Sequence, residues 1–81
     1  MSNKVELPNN LKKDLLIEIA TLAATDQIYI ATIQRKLNVG YVCATTHMQW
    51  LIDNDFACQS VDKKYSVEPA KLEKLKEELW N

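Results

Sequence analysis

Cys43, His47 and Cys58 carry the soft ligand chemistry of this sequence, and Cys43 and His47 stand four positions apart, about one helical turn. A thiolate and an imidazole at that spacing could offer zinc two ligands from one helix face. No fourth ligand is evident and no Cys-x-x-Cys pair occurs, so free, half-buried thiols are the simpler reading and no metal is expected. His47 is the only histidine, and no Ser or Cys nucleophile has an obvious partnership with it. A single glycine excludes a glycine-rich phosphate loop. These residues predict a non-enzyme, with no cofactor and no small-molecule substrate.

The second kind of chemistry lies in the cations. Arg35 and Lys36 form one pair, Lys63 and Lys64 another, and no Lys or Arg falls between Leu37 and Asp62. Two such pairs could meet the phosphates of double-stranded DNA and support weak, salt-sensitive contact. The simpler alternative is ordinary solvated surface charge. The net charge of −1 is not that of a protein built around duplex DNA.

The elements that must position these residues can be read from periodicity. The chain has 81 residues with 47% apolar content, one Gly and two Pro, which suits one small, mostly helical domain. Residues 1 to 8 read as a loose tail, followed by a single domain over 9 to 81. Asn9 or Asn10 is expected to cap a first helix whose stripe is Leu11, Leu15, Leu16, Ile19, Leu22 and Ala23. "QIYI", residues 27 to 30, reads as a brief strand, and "ATIQRKLN" as a short helix with Ile33 and Leu37 inward. Asn38-Val39-Gly40 closes that helix, with Gly40 as the residue expected to tolerate positive φ. The next helix spans Tyr41 to Asn54, with Ala44, Met48 and Leu51 inward and Tyr41, His47 and Ile52 at the stripe's borders. "FACQS" and "YSVE" around Val61–Lys64 read as a β-hairpin. Pro69 opens a last helix bearing Leu72, Leu75, Leu79 and Trp80 on one side, with Trp80 expected to pack on the core or tail. No apolar run reaches membrane-span length and no leader segment is seen, so a cytoplasmic protein without membrane contact is expected.

Helix, short strand, helix, turn, helix, hairpin, helix is the layout of a winged helix-turn-helix, an α+β fold that is mostly helical. Within it, "IQRKLNVGYVCATTHMQWLIDNDFA" resembles the gamma domain of FtsK-type DNA translocases. Gln34, Arg35, Lys36, Leu37, Val39, Gly40, Tyr41, Ala44, Leu51 and Phe56 fall in register without a gap, over about a third of the chain. The resemblance implies a winged-helix fold and descent from DNA-binding modules. The family has Asn-Arg after the Gly-Tyr pair and another Arg three residues on, and these meet DNA. Val42, Cys43 and Thr46 stand there instead, and His47 replaces a leucine. Arginine and asparagine suit bidentate contact with guanine and adenine, which Val and Cys cannot make.

The outward face of that helix is therefore Val42, Thr46, Gln49, Trp50 and Asp53, bordered by Cys43. Trp50 is read either as core or as a surface anchor. Two functions remain open: a small DNA-binding regulator contacting phosphates through Arg35, Lys36, Lys63 and Lys64, or a protein-interaction or self-dimerising module that has lost the DNA-reading face. A homodimer would reconcile them, because two weak basic patches bind more strongly together.

Overall fold

A computed structural model describes residues 7 to 80. The elements in chain order are α1 (Lys13–Thr25), α2 (Ile30–Leu37), α3 (Tyr41–Asp53), β1 (Cys58–Gln59), β2 (Tyr65–Ser66) and α4 (Pro69–Trp80).

The first helix begins later than its Asn residues suggest. Asn9 and Asn10 occupy a turn in which the Leu11 N–H donates to the Pro8 carbonyl at 3.1 Å, a position Asn favours because its side chain competes for the backbone. Lys12 is the cap residue, and it offers no side-chain cap. Leu16, Ile17, Ile19, Ala20 and Ala23 are buried, Leu15 and Leu22 are half-buried against them, and Leu11 is buried just ahead of the helix. Residues 1 to 6 of the expected tail lie outside the described residues, while Leu7 packs partly against the core.

The expected strand at 27 to 30 reduces to one bridge. Ile28 and Tyr65 exchange backbone bonds, Ile28 N–H to Tyr65 O at 3.0 Å and Tyr65 N–H to Ile28 O at 2.7 Å. Ile30 already starts α2, with extended Tyr29 as its cap residue. A β-branched run is a weak signal when the following residues can bury Ile33 by turning helical.

The turn between α2 and α3 reverses another expectation. Asn38, not Gly40, takes the left-handed conformation, with φ 56°. Its position lets the Val39 N–H close back on the Gln34 carbonyl at 3.2 Å, and Asn tolerates this region better than most side chains. Gly40 has φ −77°, is the cap residue of α3, and an added Cβ there would meet nothing within 4 Å.

α3 buries Ala44, His47, Met48 and Leu51. It ends in a Schellman turn. Asp55 adopts φ 66°, its N–H donates to Ile52 O at 3.0 Å, and the Phe56 N–H donates to Leu51 O at 2.8 Å. That turn swings Phe56 and Ala57 into the core, which leaves only Cys58 and Gln59 of "FACQS" to pair, antiparallel, with Ser66 and Tyr65.

α1 packs on α3, α4 and β2, and α2 packs on α3. Leu16, Ile19, Ile33, Met48, Leu51 and Leu75 are fully buried at the junctions. Each apolar side chain so buried contributes about 1.5–3 kcal/mol before chain entropy is charged against it. α4 places Leu72, Leu75 and Leu79 inward, but Trp80 is 58% exposed and not part of the core. Trp80 lies one residue, about 100°, beyond Leu79, which turns it off the buried stripe. Among the described residues no helix is long and apolar enough to cross a membrane.

Candidate nucleic-acid interface

Arg35 and Lys36 lie in the last turn of α2, both exposed. No ion pair engages either of them, or Lys63, among the described residues. Cations in a last turn suit the negative end of the helix dipole, so their placement there has a structural reason as well as a possible functional one.

The wing that carries Lys63 and Lys64 is organised by Ser60. Its N–H donates to the Lys64 carbonyl at 2.8 Å, and its carbonyl accepts from the Lys63 N–H at 3.1 Å. Its hydroxyl accepts from the Lys64 N–H at 3.2 Å and donates to Asp62. That Ser60 bond is the main reason the Asp62 carboxyl sits below its ordinary value. Desolvation opposes that shift, and backbone N–H groups and the Lys64 ammonium add smaller contributions that lower it further. Lys63 takes φ 67° at the tip, and Val61 beside it is fully exposed. Lys64 differs from the other three cations. Its Nζ lies 5.6 Å from the centroid of the Tyr29 ring and 3.9 Å from Asp62 Oδ2, so it braces the wing against the start of α2.

Between these cations in the chain lies α3, whose outward face bears none of them. Val42 is 73% exposed and Tyr41, expected at the border of the stripe, is 63% exposed. Thr46 is half-buried. Gln49 is exposed and donates from Nε2 to Asp53 Oδ1 at 2.9 Å. Trp50 is neither core nor free surface. It is half-buried and stacked on Phe56, with centroids 5.9 Å apart and planes 13° apart. An open groove of about 500 Å³ runs along this face, between Thr46, Gln49, Trp50 and Asp53 on one side and Pro8 and Leu11 on the other.

His47 is fully buried rather than at the border. Its Nε2 accepts the Lys12 N–H at 3.1 Å, and its Nδ1 lies 2.7 Å from the Cys43 carbonyl. A backbone N–H only donates and a carbonyl only accepts, so Nδ1 carries the proton and the ring is the neutral tautomer. His47 thereby fills the capping role that Asn9 and Asn10 were expected to take. Cys43 is half-buried with Sγ 3.8 Å from His47 Nδ1, whereas Cys58 is exposed on β1; both are free. Among the described residues no group of three His, Cys, Asp or Glu side chains is arranged to hold a metal ion.

The sequence reading missed three features: the burial of His47, the wall that Pro8 and Leu11 give the groove, and the apolar tip at Val61. The first was available, since 44, 47, 48 and 51 form a helical i, i+3, i+4, i+7 set. The other two depend on chain folding that no periodicity reports.

No protein-family model matches the chain, and no curated protein matches it. Two solved structures of Lactococcus lactis ZitR are similar. The wild type superposes with TM-score 0.67 at 19% identity, over 95% of this chain and 60% of that one. A mutant form gives 0.65 at 18% identity, over 94% and 56%. The chain thus spans a little under two thirds of the ZitR chains it resembles, and at this identity the likeness concerns architecture: a small α+β winged-helix fold.

Proposed function

We propose that this chain is a winged-helix DNA-binding module that holds duplex DNA mainly by its phosphates, without base readout from α3. The observation that carries the proposal is the placement of Arg35, Lys36 and Lys63. They are exposed cations without an ion pair among the described residues, before α3 in the helix-turn-helix and after it in the wing. In a helix-turn-helix the second helix enters the major groove and the first crosses the backbone, which brings the end of α2 to phosphates. Lys64 is held by Tyr29 and Asp62 and stiffens the wing that presents Lys63. The resemblance of residues 33 to 57 to the FtsK gamma domain supports the same reading. Val42, Cys43 and Thr46, standing at the family's base-contacting positions, favour contact without sequence preference.

The test is a fluorescence titration with duplex DNA over a range of salt. Three phosphate contacts give a slope of log K against log salt of roughly −2.7. Lys63→Ala and Arg35→Ala should each flatten it by about 0.9 and weaken all sequences alike. Absence of binding even at low salt would refute the proposal.

A second reading, a protein-interaction module, is favoured by one observation. Tyr41 and Val42 together expose an apolar pair at the start of α3, where a base-reading helix would carry polar side chains. Sedimentation of the chain with and without Val42→Glu separates self-association from a monomeric DNA binder.

A further inference from the structure

We propose that the groove along the outer face of α3 is the docking site for a basic segment of a protein partner, in which an arginine or lysine beside an apolar residue lies against Trp50 and Asp53. This inference rests on the second reading above, in which the outer face of α3 meets a protein and not the major groove. Unchanged affinity in Asp53→Lys would sink the inference alone, whereas duplex DNA on the same face would sink that reading with it.

The groove, at about 500 Å³, is wide open to solvent, so it suits an extended segment laid along the surface and not an enclosed small molecule. Its floor is prepared before a partner arrives. Trp50 is held by its stack on Phe56, so little side-chain freedom is lost when a ligand covers the rest of the ring. Asp53 is also held: Oδ1 accepts the Gln49 amide, which orients the carboxylate and leaves Oδ2 for an incoming cation. Asp53 makes no ion pair among the described residues. None of the residues lining the groove is a Lys or Arg, and Asp53 is its one charged side chain.

Charge selects the occupant. A phosphate beside Asp53 would be repelled, whereas a guanidinium can pair with the carboxylate while its plane lies over an indole within ~6 Å. Leu11 and Pro8 on the opposite wall suit an apolar neighbour of that cation.

The test is a titration of the full chain with an amidated Arg-Leu-Arg tripeptide, followed in the amide proton–nitrogen correlation spectrum, with Glu-Leu-Glu as the control. The Trp50 indole N–H and the amides of Thr46 to Asp53 should move, while the Trp80 indole stays still. Asp53→Lys, a change at an exposed position, should weaken the tripeptide about tenfold or more without lowering the melting temperature. Gln49→Ala should weaken it less. An equal response to Glu-Leu-Glu, shifts centred on α4, or unchanged affinity in Asp53→Lys would each overturn the proposal. So would movement of the same signals on addition of duplex DNA, or on concentrating the protein alone with a dimer in sedimentation; these outcomes would assign the groove to DNA or to a second copy.

Discussion

The backbone N–H of Lys12 donates to Nε2 of His47 across 35 positions of sequence, at 3.1 Å. It ties the start of α1 to the middle of α3. The same ring donates from Nδ1 to the Cys43 carbonyl, so one buried side chain satisfies one N–H at the start of α1 and fixes its own tautomer.

That double role makes His47 a stability determinant. His47→Ala should cost about 2–4 kcal/mol, combining a buried cavity with an unpartnered N–H. His47→Leu, the residue the gamma-domain pattern carries, should restore most of the packing and still lose about 1–3 kcal/mol through the orphaned Lys12 N–H. Circular-dichroism melts of both variants check this. Faster hydrogen exchange at the Lys12 amide in His47→Leu is the specific mark of the lost cap.

The α2–α3 turn predicts opposite responses at two neighbouring positions. Gly40→Ala should stabilise by about 0.4–1 kcal/mol, because φ is −77° and the new methyl meets open space. Asn38→Ala should destabilise by about 1 kcal/mol, because φ is 56°. Denaturant unfolding of the two variants reads both signs. If Gly40→Ala were the harmful one, the assignment of the left-handed residue would be wrong.

Asp62 should titrate below the ordinary aspartate range, chiefly because the Ser60 hydroxyl donates to it. A carboxyl whose folded value is depressed contributes stability that is fully present above the unfolded value and is lost as pH falls through the folded one. Ordering of the wing should therefore persist at mildly acidic pH and loosen only below it. Carboxyl-carbon NMR of Asp62 checks the direction, and Ser60→Ala should move the midpoint upward.

Leu75→Ala should cost about 2–5 kcal/mol, since Leu75 on α4 is fully buried in the core and none of its surface reaches solvent. Trp80→Ala, five residues on, should change stability by about 0.5 kcal/mol or less, because the ring is mostly in water. Paired chemical-denaturation curves decide between this assignment and one in which Trp80 anchors the helix.

Periodicity alone determined most of the architecture. The spacings 44–48–51 and 72–75–79 require helices with one apolar face, and "FACQS" and "YSVE" around a polar turn require a hairpin, because these local patterns can bury their apolar groups in few other ways. The lack of cations between Leu37 and Asp62 was equally plain in the sequence, and it shaped both functional readings. Tertiary structure alone decided what depends on distant partners. His47 caps α1 only because α3 passes beside Lys12, Trp50 becomes one wall of a groove only where Pro8 and Leu11 face it, and Lys64 is restrained only because Tyr29 lies within reach. These are contacts between segments 35 or more residues apart, and a one-dimensional pattern carries no record of which side chains the fold will bring together.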